Sequence, residues 1–238
     1  MGRGARTLAV CCLTVTAAGG AAHAQGTGRG SAHAVWVTYA GDFPVAPRVS
    51  FTVDQQLRLG ALPPVRGGAL VRPGLAVRLP GGVRLSGGYA ISVDDPIERA
   101  SPIRMEHRVW EAVQLVRPAG PTTLSQRLRL EERYTSAPLA AGEARDWSYQ
   151  NRLRYQLRNT IPLPGARHPY LILSDELFMG FGGAAGSAAL DQNRAIAGLG
   201  ARMVGTTRLE ASYLMQSTRT AAGRLDGRTH ILVLAVAQ

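Results

Sequence analysis

Cysteine is nearly missing from this chain. The two present, Cys11 and Cys12, fall in its first twelve residues. Lysine is missing altogether, so all 27 basic residues are arginine. No run of eighteen apolar residues exists beyond the N-terminal segment, which excludes a transmembrane helix there. Aromatics make up only 6% of the residues. Several catalytic signatures are also missing: a Gly-rich phosphate loop, HExxH and GxSxG.

What is present begins with an export pattern. Arg3 and Arg6 precede a short apolar stretch, Leu8–Thr16. Ala22-His23-Ala24 then offers small residues for signal cleavage before Gln25. The pattern predicts a signal peptide over 1–24, a flexible Gly/Ser-rich segment over 25–32 and one domain over 33–238. Both cysteines lie inside the signal and too early for a lipoprotein attachment site. The exported chain therefore has no disulfide and no thiolate metal site. It carries a net charge of about +9, from 25 arginines against 16 acidic residues. Such a balance often marks nucleic-acid binding. Here the arginines are spread along the chain at alternate positions, which points instead to lipopolysaccharide or a small anionic solute.

That alternation is clearest in two stretches. In Leu124–Tyr134, Leu124, Leu128, Leu130 and Tyr134 alternate with Ser125, Arg127, Arg129, Glu131 and Arg133. In Trp147–Asn159, Trp147, Tyr149, Leu153, Tyr155 and Leu157 alternate with Gln150, Arg152, Arg154, Gln156 and Arg158. Side chains on a strand point to opposite faces with period two, so each stretch needs an environment with two different sides. Similar runs recur near 34–42, 48–59, 69–79, 82–93, 103–116, 122–135, 146–160, 169–179, 193–204, 206–219 and 228–237. Most are longer than the five or six residues usual in soluble sheets and suit a tilted membrane strand. Short connectors such as Pro118–Pro121 alternate with longer ones such as Ser136–Arg145 and Gly180–Gln192, as in bacterial outer-membrane barrels.

The fold expected is an all-β, single antiparallel up-and-down membrane β-barrel of about 10–12 strands. An even number is the rule for such barrels, so eleven runs predict ten spanning strands or twelve. Tyr134, Trp147, Tyr149 and Phe178 are expected in an aromatic girdle at the external rim, and Tyr170 in the periplasmic one. His107 and Glu111 fall on the apolar face of their run, where a bulge could shift the register.

The polar faces together predict a charge lattice lining the lumen: Glu106, Arg108, Arg127, Arg129, Glu131, Arg133, Arg152, Arg154, Arg158, Arg194 and Glu210. Forked pairs between arginine and carboxylate on neighbouring strands would fill and stiffen the barrel. The alternative role is a positively lined conduit or an anion-binding cavity. An outer-membrane lipid hydrolase would need His230 beside Ser212 or Ser217 near the rim. Asp175-Glu176 could suggest acid/base work or Ca²⁺ binding, but neighbours on a strand face opposite ways. No cofactor and no metal ligands are expected.

Particular residues then show a resemblance. Glu106-x-Arg108-x-Trp110, Arg127-x-Arg129-x-Glu131, Arg152-x-Arg154-Tyr155, Asp175-Glu176, Asp191-Gln192-Asn193-Arg194 before Gly198 and Gly200, and Glu210-x-x-Tyr213-x-x-Gln216 occur in that order. This array resembles the bacterial outer-membrane β-barrel family known as domain of unknown function 2490. The resemblance implies a secreted Gram-negative barrel and carries over no catalytic residue. The chain departs from the pattern in its Gly/Ala stretch, Gly180–Ala189, and its final Gln238.

The function expected is a small non-catalytic outer-membrane barrel, a narrow channel or an envelope structural protein. Its partners would be outer-membrane lipid, lipopolysaccharide and the barrel-assembly machinery, with no nucleic acid. The same alternation turned inside out gives the competing reading, a soluble periplasmic lipocalin-like binder of an apolar or anionic ligand. An outer-membrane lipid-modifying enzyme is the third.

Overall fold

A computed structural model describes residues 32–60, 67–94, 104–136, 146–186, 189–219 and 223–238. The predicted signal peptide, 1–24, lies outside the described residues, as does the predicted flexible segment apart from Ala32. Period-two patterning resolves into eleven strands: β1 (Ala32–Ala46), β2 (Val49–Leu59), β3 (Gly67–Arg78), β4 (Val83–Asp94), β5 (Arg104–Ala119), β6 (Thr122–Ser136), β7 (Trp147–Pro162), β8 (Tyr170–Phe181), β9 (Ala189–Arg202), β10 (Arg208–Thr218) and β11 (Gly227–Ala237). Successive strands pair antiparallel around a closed barrel.

Closure is made by β1 and β11, which pair in parallel from Ala32↔Thr229 to Ala40↔Ala237. The barrel therefore has neither ten nor twelve strands. An up-and-down chain with an odd number brings its first and last strands together pointing the same way. The 34–42 run is not a partial element, since β1 extends to Ala46. One consequence is topological. The backbone enters β1 at the end of the barrel that carries the longer connectors and leaves β11 at the other.

Connector lengths follow the predicted alternation. The turns at the C-terminal end of the barrel span two to seven residues, and those at the opposite end seven to ten. The Gly/Ala stretch is tighter than expected. β8 runs on to Phe181 and β9 starts at Ala189, with a 3₁₀ turn, Gly183–Ala185, between them.

Apolar side chains cover the outer face. Leu75 and Leu199 are both 57% exposed, and Val109, Leu232 and Leu57 project in the same way. The inner face carries the charged side chains together with buried apolar ones such as Leu70, Trp110, Ile172 and Phe178, and a further apolar cluster lies beside the seam. There Trp36, Leu214 and Ile231 form a buried cluster with Ile196 and Val233. This explains why β11 is apolar on both faces: one meets the exterior, the other packs on Trp36. Two glycines make room for rings inside. A Cβ on Gly74 would lie 2.6 Å from the Trp110 ring, and one on Gly200 would lie 2.4 Å from the Tyr170 ring.

Candidate functional site in the barrel lumen

The strand pleat turns Arg127, Arg129, Glu131 and Arg133 of β6 to the same side as Arg152 and Arg154 of β7, because Arg129 is registered opposite Arg154 and Glu131 opposite Arg152. That side is the lumen. Glu131 is completely buried at its centre, and Arg154 is 6% exposed. Arg154 donates to Glu131 at 2.7 Å and, from Nε and Nη2, to Glu176 Oε1 at 3.1 and 2.8 Å. Glu176 also receives Arg127 at 3.3 Å. Arg108 reaches Glu131 at 3.7 Å and forks onto Glu106 at 2.8 and 3.0 Å. Arg133 takes both oxygens of Glu106 as well. Each carboxylate is thus held by two or more guanidinium groups, and planar forks suit this shared, dehydrated arrangement.

Aromatic rings complete the packing. Arg154 lies over Phe178 with its guanidinium 4.5 Å from the ring centroid. Arg194 is sandwiched between Phe178 at 4.7 Å and Trp36 at 4.9 Å. Arg129 lies over Trp110 at 4.9 Å. Cation–π contacts gain strength in such desolvated surroundings.

The predicted lattice separates into two groups. Glu106, Arg108, Arg127, Arg129, Glu131, Arg133, Arg152, Arg154 and Arg194 converge in one connected network. Arg158 and Glu210 form a separate pair at 2.7 Å nearer the short-turn end, with the Tyr170 hydroxyl also donating to Glu210 at 2.9 Å. The periodicity does not point to Arg72, which bonds Asp54 at 2.7 Å, because Pro73 and Gly74 break its run. Nor does it point to Asp191, which accepts from Arg152 at 2.9 Å. The sequence signal for both is parity with a neighbouring strand rather than alternation within their own.

Three placements differ from expectation. Phe178 is not in the outer girdle. It shares the inward parity of Glu176, is 2% exposed and stacks on arginines. Tyr170 is likewise inside, bonded to Glu210. The outer girdle at the short-turn end is instead Phe43 and Phe51, paired at 6.4 Å. No bulge rescues His107 and Glu111, since β5 keeps an unbroken register with both neighbours. His107 faces out, bonds the Tyr89 hydroxyl and lies 5.1 Å from the Trp147 ring, within the long-connector girdle. Glu111 faces out at mid-strand.

The hypothetical hydrolase pair is not assembled. Ser212 is buried on the inner side, whereas His230 is on the outer side, bonded to Tyr213 and stacked on His33. Among the described residues no hydrogen bond joins His230 to Ser217. Asp175 and Glu176 point apart: Asp175 accepts from Asn193 at 3.0 and 3.1 Å on the outside, while Glu176 belongs to the lumen network. Among the described residues no group of three or more His, Cys, Asp or Glu side chains is arranged to hold a metal ion.

A cavity of about 350 Å³ remains within the network, bordered by Trp36, Gln56, Arg58, Arg72, Arg108, Arg133, Arg152, Gln192, Arg194 and Gln216 among others. All of these lie in the long-connector half of their strands.

The fold and lumen define a class: a closed eleven-stranded β-barrel, apolar outside and filled with paired charge inside. The chain belongs to the family described as protein of unknown function DUF2490, whose profile matches residues 33–226. That match covers β1 to β10 and stops just before the closing strand. Neither a curated protein nor a solved structure matches the chain.

Proposed function

We propose that the protein is an integral outer-membrane barrel whose lumen is closed by its own charge network, acting as a non-catalytic envelope component. The observation that carries this reading is its sidedness: leucines and valines outside, arginines and glutamates inside. In water, an exterior such as Leu75, Val109 and Leu199 would be an unusually continuous apolar surface. In a bilayer it is matched to its solvent. The girdle of Tyr89, His107, Trp147, Tyr134 and Tyr149 fits one interface, and Phe43 with Phe51 the other. A soluble lipocalin-like binder of an apolar ligand would need the reverse, an apolar cavity, whereas the cavity here is bordered mainly by charged side chains.

Closure of the lumen is supported by Glu131 and Phe178, which are buried at its middle. The reading includes no catalytic step, in keeping with His230 and Ser212 on opposite sides of the wall. It includes export, outer-membrane lipid as solvent and delivery by the barrel-assembly machinery as its partners.

Membrane fractionation tests it. The protein is expected in the outer-membrane fraction, resistant to carbonate extraction, with mobility on a gel that changes on heating. Recovery as a freely soluble periplasmic protein would sink the proposal. Glu111 gives a second test, because a carboxylate at mid-strand on a lipid face is unfavourable, though less so than an arginine. Glu111→Leu should stabilise the barrel in lipid vesicles by about 1 kcal/mol, read from the urea midpoint. A loss of stability there would count against burial of this face in lipid.

A further inference from the structure

We infer that the long-connector half of the lumen is a binding site for a compact, multivalent oxyanion of the phosphate type. Three features of the cavity carry this. The first is charge. Among the described residues, nine arginines bordering the cavity or paired beside it meet six carboxylates, Asp54, Asp94, Glu106, Glu131, Glu176 and Asp191, a surplus of three positive charges. A buried surplus of one sign needs a counter-charge.

The second is unspent hydrogen bonding. Arg72 Nε, Arg133 Nη1 and Arg152 Nε are buried donors of residues that border the cavity, and they meet no acceptor among the described residues. Arg72 and Arg133 are 7% and 8% exposed. They come from β3, β6 and β7, three different strands around the lumen.

The third is Arg194. No carboxylate lies within ion-pair distance of it among the described residues. Its Nε donates to Gln216 Oε1 at 3.0 Å, and the Gln192 amide, with its oxygen turned toward Arg194, accepts from Nε and Nη2 at 2.7 and 3.1 Å. Two aromatic rings hold its plane in place. A guanidinium fixed by neutral partners keeps its full charge for a ligand. Forked guanidinium groups match the paired oxygens of phosphate better than they match a spherical halide. The cavity volume of about 350 Å³ accommodates one such ion with several waters.

The inference rests on the closed, charge-lined lumen of the proposed function, but not on the membrane around it. The test uses the full chain folded in detergent, with inorganic phosphate as probe and chloride at equal ionic strength as control. Phosphate is expected to bind saturably at one site by calorimetry. At a hundredfold excess over its dissociation constant it should raise the unfolding midpoint by roughly 5–10 °C. Gln216→Glu supplies Arg194 with an internal carboxylate. It should raise the midpoint in phosphate-free buffer and weaken phosphate binding roughly tenfold. Mixed micelles containing phosphatidic acid separate the two sources of a phosphate group: a lipid headgroup should add nothing, since it cannot enter the lumen.

Equal responses to phosphate and chloride would overturn the inference. So would a response to phosphatidic acid alone, or a lower midpoint for Gln216→Glu in a barrel that still shows heat-modifiable mobility. Fractionation keeps the two ideas apart. A soluble barrel that binds phosphate removes only the membrane reading, and a membrane barrel that ignores phosphate removes only this one.

Discussion

The two halves of the lumen obey the same alternation and are filled differently. Toward the long connectors, the inner face is built from Glu106, Arg108, Glu131, Arg133, Arg154 and Phe178, all buried. Toward the short turns it is built largely from small residues, including Ser50, Ala76, Ala112, Gly198 and Ser212. Ion pairs occur in both. In the first half the paired side chains of Arg154 and Glu131 are 7% and 0% exposed, whereas Arg158 and Glu210 in the second are 33% and 14% exposed. The same chemical pair is therefore a buried, shared junction at one level and a more exposed, simpler contact at the other. Polarity of the inner face alone does not distinguish a filled lumen from an open one; the length of the side chains does.

The contrast is open to direct attack. The largest effect is expected from Glu131→Ala, which leaves Arg154 with only Glu176 and takes from Arg108 and Arg129 a nearby charge. Removing one partner of a buried ionic cluster costs about 3–5 kcal/mol, so the urea midpoint should drop sharply. Gly74→Val attacks the boundary between the halves by pushing on Trp110. Overpacking of this kind costs about 1–3 kcal/mol, and displacement of the ring from Arg129 should shift tryptophan emission. Asp42→Asn, in the short-turn half, separates a charge pair with Arg84 whose side chains are 26% and 30% exposed. Partly exposed pairs contribute about 0–1 kcal/mol, so its midpoint should barely move. Equal losses from Glu131→Ala and Asp42→Asn would erase the distinction between the halves.

Much of this is legible in the residues. Alternation in β6 and β7 locates the arginines on one face, and the same parity extends to β5 and β9. Strand boundaries fall within a few residues of expectation because turns are marked by Pro and Gly. What stays hidden is relational. Nothing in the 34–42 run announces a parallel partner nearly two hundred residues away, so a rule about even numbers displaces a correct count of eleven runs. Residue type sends Phe178 and Tyr170 to an interface, although parity with Glu176 puts both inside. The outer girdle is sparser still than the aromatic content suggests, because Trp36, Trp110 and Phe178 serve inside as platforms for guanidinium groups. Arg72 is concealed by the Pro73-Gly74 break. Its partner Asp54 lies on the adjacent strand, and spacing within one strand carries no information about that.

The parallel seam has a consequence for how the barrel comes into being. Every other pairing joins neighbours in the chain and can zip from its own hairpin. The last one joins Ala32 to Thr229, and such a distant encounter has a large loop-closure cost and forms slowly. Until β1 and β11 meet, the strands make an open sheet with these two as bare edges. Such edges readily recruit another chain. Of the two, β11 is apolar on both sides and cannot linger in water. Ring closure is thus the step at which this molecule is most vulnerable to trapping by its own copies.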